Sequence, residues 1–387
     1  MSSYTELTNV NIEEKNILIR EDLNVPIHNN QIVNDARIKA AIPTIEYALS
    51  KGAKLAIISH FGRPKEGCFD EKYSLKIVAD RLSKILNKKV FFEENPLDEK
   101  SPEYKNDITL YENTRFLVGE KSGDNDLAKK MAKNCDVFVM DAFGAAHRKH
   151  ASTYAIAKYA PISCGGLLLI NEIFNIEKII AKPKAPVLAI IGGSKVSTKL
   201  NILKKLIQKV DVIIIGGGIA NTFLLSEGHN IGKSLSENEM VSDAKEITLL
   251  AKKNNVLVPL PVDVICEDSN KITSKNIDHV SENEMIKDIG PKTSRIYEKL
   301  IEEAGTIIWN GPVGIFEKTS FENGTKSIAN AISKTKALTI AGGGDTISAI
   351  EKFVNFKDLD YISTGGGAFL EFLEGRELPG IKIIKKL

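Results

Sequence analysis

Along the chain, short apolar or β-branched runs alternate with longer stretches of helical period. In the first part, Ile17–Arg20, Lys54–Ser59, Lys89–Phe92, Ile108–Tyr111 and Asp136–Asp141 have the length and composition of strands. Strands separated by helical segments predict βαβ units, because parallel neighbours need a long crossover connection. A long helical stretch follows over Gly166–Ala181, and Pro183 and Pro186 make its continuation unfavourable. Beyond it a second series comprises Pro186–Ile191, Asp211–Ile215, Asn255–Pro259, Gly305–Trp309, Ala337–Ala341 and Tyr361–Ser363. Two such series exceed one comfortable sheet. The pattern predicts an α/β protein of two Rossmann-like, three-layer αβα domains with parallel sheets, joined by that helix, and it puts the expected ligand crevice between them.

Glycine punctuates the second series. Gly192-Gly193, Gly216-Gly217-Gly218, Gly342-Gly343-Gly344 and Gly365-Gly366-Gly367 each follow a predicted strand and precede a predicted helix. Such loops let backbone N–H groups and a helix N-terminus approach a phosphate closely, so four of them on one sheet edge predict a nucleotide site. Two named motifs are absent. Gly228–Ser234 has three residues between its glycines where a Walker A loop has four, and Gly216–Asn221 ends in Asn where the dinucleotide fingerprint has Gly or Ala.

Composition narrows the partners. Fifty-two Lys+Arg against fifty Asp+Glu leave a net charge of +2 over 387 residues, which argues against a dedicated nucleic-acid binder or a polybasic membrane protein. Any anion site must be local. The apolar runs are strand-sized rather than membrane-spanning, the polar stretch Met1–Asn16 lacks the features of a signal peptide, and Cys68, Cys135, Cys164 and Cys266 form no CxxC pair. A cytoplasmic protein with reduced thiols is expected. Of the cations only eight are Arg, and six of these (Arg20, Arg37, Arg63, Arg81, Arg115, Arg148) fall in the first 150 residues. Arg grips carboxylate and phosphate in bidentate fashion where Lys cannot, so this concentration predicts an anion pocket in the first domain.

The chemistry-bearing segments there begin mostly at the carboxyl ends of predicted strands. They are Arg20–Pro26, Arg37, Ser59–Pro64, Tyr111–Phe116 and Asp141–His150, and His60, Arg63, Arg115, Arg148 and His150 are expected to converge. Asp22 and Asn24 sit two apart at a strand end, so both are expected on one face, holding hydroxyls inside a cationic pocket. The inferred ligand is a small, hydroxylated, phosphorylated acid. His147 reads as a packed histidine. In the second domain, Lys195 and Lys199 are four apart and are expected on one helical face, contacting phosphates. Asp345, after three glycines, suits a magnesium ion bridging the phosphates, and Glu317 suits a ribose hydroxyl.

Taken in order, REDLNVP, SHFGRP, ENTRF, MDAFGAAHRKHAS, GGSKVSTKL, GGGIANTF, WNGPVGIFE, GGGDT and STGGGAFLEFLEG resemble the phosphoglycerate kinase family over essentially the whole chain, in its bacterial form. The resemblance implies reversible phosphoryl transfer between 1,3-bisphosphoglycerate and ADP, giving 3-phosphoglycerate and ATP with Mg2+, by a monomer. It implies a phosphoglycerate site at Asp22, Leu23, Asn24, Arg37, His60, Phe61, Gly62, Arg63, Arg115, Arg148 and His150. It implies a nucleotide site at Lys199, Gly216, Asn310, Glu317, Gly343, Gly344, Asp345 and Thr346, with Lys195 nearest the transferred group. The expected limits are 1–165 for the phosphoglycerate domain, 166–183 for the helix, 184–368 for the nucleotide domain and 369–387 for a tail returning to the first domain. Ala145 and Phe369 depart from the usual family residues.

No general base is needed, because the acceptor is a carboxylate already ionised at neutral pH. Catalysis then reduces to positioning and charge stabilisation by Arg37, Lys195 and the helix starts at Gly344 and Gly367, after closure of the cleft. Two rival readings are a nicotinamide dehydrogenase, suggested by VDVIIIGGG, and a nucleic-acid-binding protein. The first lacks the last fingerprint glycine and leaves the arginines unexplained; the second lacks a basic stripe with interleaved aromatics.

Overall fold

The computed structural model describes residues 3–94, 97, 101–269 and 271–386. The chain divides into two compact units, Met1–Phe174 with Gly375–Leu387, and Asn175–Glu374. In the first unit the strands are β1 (Asn16–Arg20), β2 (Ile27–His28), β3 (Gln31–Ile32), β4 (Lys54–Ile58), β5 (Phe91–Glu93), β6 (Ile108–Tyr111), β7 (Val137–Met140) and β8 (Ile162–Gly165). Six of them form a wholly parallel sheet in the order β5-β6-β4-β1-β7-β8, while β2 and β3 make a small antiparallel hairpin. Helices α1 (Ala36–Ser50), α2 (Lys76–Leu86) and α3 (Asn125–Ala132) supply crossovers, and α4 (Leu167–Ala181) begins in this unit and ends in the second.

Consecutive strand residues point to opposite faces, so the burial of every residue in Leu55–Ile58 and in Val137–Met140 requires cover on both sides of the sheet. That is why these strands read as continuous apolar runs rather than alternating ones. The C-terminal segment is tied to the same unit: Gly380 N–H donates to the Ala146 carbonyl at 2.8 Å and Thr5 N–H to the Ile384 carbonyl at 2.7 Å.

The second unit repeats the logic. Strands β9 (Val187–Gly193), β10 (Val212–Gly216), β14 (Thr306–Asn310), β15 (Leu338–Gly342) and β16 (Tyr361–Ser363) form a parallel sheet ordered β10-β9-β14-β15-β16. Its helices are α5 (Leu200–Leu206), α6 (Gly217–Ser226), α7 (Val241–Lys253), α8 (Pro291–Glu303), α9 (Asn323–Lys334), α10 (Gly344–Phe353) and α11 (Gly367–Leu373), and α12 (Pro379–Lys382) lies in the first unit. The β9, β14 and β15 residues pack with Tyr297, Ile328 and Ile350 from α8, α9 and α10 into one core that includes Trp309.

Three sequence expectations change. Asn255–Pro259 is no strand but a single bridge from Leu257 to Val212, since Pro259 and the following Pro261 cannot donate to a ladder. An antiparallel sheet of β11 (Asp263–Asp268), β12 (Lys271–Asn276) and β13 (Met285–Ile289) was not legible, because β12 is mostly polar and solvent-facing. Lys195 and Lys199 share no helix: α5 starts at Leu200, with Lys199 as its cap and Lys195 in the preceding turn. Glu237 imposes that turn by accepting from Ser197 N–H at 2.8 Å and from its hydroxyl at 2.6 Å. Among the described residues no helix is long and apolar enough to cross a membrane.

Candidate active site

In the first unit the carboxyl ends of β1, β4, β6 and β7 release the segments that sequence singled out. Arg20, the last residue of β1, is fully buried, and its guanidinium holds three groups from different segments: the Ser152 hydroxyl at 3.0 Å, the Glu21 carbonyl, and His60 Nδ1 at 3.2 Å. Asp22 and Asn24 lie beyond the strand, in a loop. Asp22 Oδ1 accepts from Arg37 at 3.2 Å, Arg37 also donates to the Asn24 carbonyl at 2.8 Å, and Asn24 Oδ1 accepts from Gly62 N–H at 2.8 Å. Burial alone would raise the Asp22 carboxyl, but the charges of Arg37 and Arg20 and the Asn24 N–H hold the group below its ordinary range.

The loop after β4 is fastened from two sides. Leu23 N–H donates to the Ser59 hydroxyl at 2.9 Å, and Asn113 accepts from Phe61 N–H at 2.9 Å while donating back to its carbonyl at 2.7 Å. Gly62 has φ +59 with the Tyr73 ring against it, so a β-carbon fits neither the backbone nor the space. Arg63 is exposed at the end of this loop.

Arg115, Arg148, His147 and His150 complete a dense cationic cluster. Arg115 is buried, its Nε has no hydrogen-bond partner, and burial followed by the charge of Arg148 pushes its guanidinium down to about 10. Burial and the same arginines hold His150 at about 3 and His147 at about 4, and burial keeps His60 well below its ordinary value, so all three imidazoles are neutral at pH 7. The compensating anion on the protein is Glu120, fully buried, which accepts from the Ser152 hydroxyl at 2.6 Å and its N–H at 3.0 Å. Glu120 lies outside every segment that sequence reasoning singled out, while Ser59, Asn113 and Ser152 lie inside those segments without an assigned role. Only the recurrence of polar residues beside the arginine-bearing loops could have signalled them.

In the second unit the glycine runs at the ends of β9 and β10, the loop after β14 and Asp345 in the first turn of α10 surround a cavity of about 330 Å3. It is lined by Gly193, Gly217, Gly218, Pro312, Glu317 and Asp345, with Leu235, Val264 and Ile286 among its apolar residues. Gly216 packs instead against Val313. A relay outside the cavity lining ties α5, β14 and α10 together: Lys199 donates to Asn310 Oδ1, Asn310 Nδ2 donates to the Gly342 carbonyl at 2.6 Å, and Thr346 joins that carbonyl at 2.9 Å to Gly311 N–H at 2.8 Å. Gly343, at φ +104, leaves room for Asn310 Nδ2, which a β-carbon would meet at 2.8 Å. Burial pushes the Lys199 ammonium down to about 8, against the attraction of Asp345.

Gly344 opens α10 with empty space beside it, and Gly367 does the same for α11. Glu317 and Lys195 are exposed. Phe369, an unusual residue for its motif, is fully buried against Gly342. Among the described residues no group of three or more His, Cys, Asp or Glu is placed to hold a metal ion.

The family model for phosphoglycerate kinase matches residues 7–376. The chain belongs to the phosphoglycerate kinase family. It is 49% identical over 392 residues to the phosphoglycerate kinase of Francisella philomiragia, covering 99% of both chains, and 50% identical over 382 residues to that of Coxiella burnetii, covering 98% of this chain and 97% of the relative. The solved structure of phosphoglycerate kinase from Coxiella burnetii superposes with TM-score 0.88 at 49% identity, covering 98% of each chain. That from Pyrococcus horikoshii OT3 gives 0.85 at 28% identity with the same coverage. The chain is therefore a glycolytic phosphotransferase acting between 1,3-bisphosphoglycerate and ADP, and 3-phosphoglycerate and ATP. The dehydrogenase reading is not supported.

Proposed function

We propose that the first unit binds the phosphoglycerate and the second the nucleotide. The observation that carries this reading is the cationic cluster, in which burial and then the charge of Arg148 lower Arg115, and Arg115 Nε lacks an acceptor. Such a cluster is stabilised by a ligand that brings several negative oxygens, as a phosphorylated acid does. Asp22, Asn24 and the Phe61–Arg63 segment give the substrate hydroxyl and carboxylate their surroundings, Leu23 packs the loop, and His60 and His150 act as neutral hydrogen-bonding groups.

In the second unit, Lys199, the amides of Gly343, Gly344 and Thr346, and the positive end of α10 hold the nucleotide phosphates, with Gly217 and Gly218 against the nucleoside and Glu317 on the ribose. Asp345 lines the cavity along with Glu317 and Asp288, but among the described residues no three such side chains group to hold a metal, which fits a magnesium ion carried mainly by nucleotide phosphates and water rather than by a protein cage. Bound there with the nucleotide, the ion supplies charge neutralisation to the phosphates. Arg37, Lys195 and the turns opening at Gly344 and Gly367 hold the transferring group, and in-line transfer demands that the attacking oxygen come within about 3–3.5 Å of the transferred phosphorus in the reacting complex. The protein works as a cytoplasmic monomer in this reading, which family membership supports.

The test is ATP consumption with 3-phosphoglycerate and Mg2+, coupled to NADH oxidation through glyceraldehyde-3-phosphate dehydrogenase. Turnover that requires 3-phosphoglycerate and drops about 100-fold or more in Arg37→Ala is the expected result. An Arg37→Ala enzyme with near-normal turnover at saturating substrates would remove Arg37 from the transferring group.

A further inference from the structure

Glu21 and Asp141 follow the neighbouring strands β1 and β7 at their carboxyl ends, and Asp141 N–H donates to the Arg20 carbonyl at 3.0 Å. Both side chains are fully buried. No donor reaches either carboxyl oxygen of Glu21 or Oδ2 of Asp141, yet the two carboxyl groups are within hydrogen-bonding reach of each other. Arg20 does not neutralise Glu21's side chain; its guanidinium bonds go to Ser152, His60 and the Glu21 backbone carbonyl. On the other side, Asp141 Oδ1 accepts from Leu169 N–H in the first turn of α4 at 2.9 Å, and the Thr44 hydroxyl of α1 also bonds to this carboxyl group.

We propose that Glu21 and Asp141 hold one proton between them at neutral pH, and that this shared proton clamps the Glu21–Asn24 loop to the first turn of α4. Two carboxylates are acceptors only, so their contact needs a proton; without one, two like charges would face each other out of water. The groups facing the pair are few. Arg20 and Asp22 flank Glu21 with opposite charges, Thr44 and the Leu168 and Leu169 amides face Asp141, and the thiol of Cys164 on β8 senses Asp141 without offsetting its charge. Burial and then the Asp141 carboxyl push Glu21 well up, while burial pushes Asp141 up to about 6 against the bonds it accepts from Thr44, Leu169 N–H and Glu21, so the proton sits mainly on Glu21. An acid kept protonated by the fold binds a proton that the unfolded chain releases, so this clamp weakens as pH rises. The assignment is independent of which substrate the loop holds.

The experiment compares the full chain with Glu21→Gln, whose amide donates to an ionised Asp141 and needs no proton. At pH 7 the infrared difference spectrum should show a protonated-carboxyl band in the parent protein that the variant lacks. Chemical unfolding of the first unit should show the parent's folding equilibrium constant falling, relative to the variant's, by roughly tenfold per pH unit from pH 5 to 7. Asp141→Asn should abolish the band likewise, and it serves if Glu21→Gln does not fold. Absence of the band in the parent, or equal pH slopes in parent and variant, overturns the proposal.

Discussion

Replacing Lys199 by Met removes the half-buried ammonium of the relay to Asn310 while keeping most of its volume, and the structure gives the size of the effect on the proposed nucleotide site. Burial moves this ammonium from 10.5 to about 8, a cost near 3 kcal/mol at about 1.4 kcal/mol per pH unit, which bound phosphates restore. Lys199→Met should therefore weaken ADP binding at pH 7 by about 3 kcal/mol, roughly 100-fold. The pH dependence follows with a definite sign. Below pH 8 the free protein already carries the charge and affinity is level; above it, binding must recruit a proton, and affinity falls by up to about tenfold per unit until the raised pKa of the complex is reached. Calorimetry of Mg-ADP binding at pH 7 and 9, in buffers of different ionisation enthalpy, should show close to one proton taken up at pH 9 and little at pH 7, with neither signal in the Met variant. Equal affinity at both pH values with no proton uptake, or an undiminished Met variant, would refute the reasoning.

Arg115→Met should raise the KM for 3-phosphoglycerate by about 100-fold and leave the free protein as stable or more so in a thermal melt, because the buried guanidinium and Arg148 repel each other until an anion arrives. Asp345→Asn should raise the Mg2+ concentration needed for half-maximal turnover by roughly 10-fold or more, the loss of one charge-assisted contact, with the KM for 3-phosphoglycerate unchanged. Asp288 is buried beside Gly314 and Gly324, and burial pushes it up to about 7, against the Gly324 N–H that donates to it at 2.7 Å. Its folded form keeps a proton the unfolded chain loses near pH 4, so stability should fall between pH 4 and 7 by at most about 4 kcal/mol, and Asp288→Asn should flatten that part of the urea-unfolding profile. Gly62→Ala should cost about 2 kcal/mol of stability and loosen the loop after β4, seen as faster exchange of the Phe61 and Gly62 amides.

By itself the sequence determined the strands buried on both faces, since Leu55–Ile58 and Val137–Met140 are apolar and short for one physical reason: parallel strands covered on both sides need no polar alternation. It also singled out loops that the fold does place at the carboxyl ends of strands, because arginines and glycine runs there have few structural uses. The tertiary structure decided the rest. Polar β12 pairs only because β11 supplies its ladder, and the turn before α5 exists only because Glu237, some 40 residues on, captures Ser197. Most of all, the charge states belong to the fold. Neutral His60 and His150, the unsatisfied Arg115 and the paired carboxyls of Glu21 and Asp141 follow from desolvation and from neighbours remote in sequence, and neither is readable until the chain has brought those groups together.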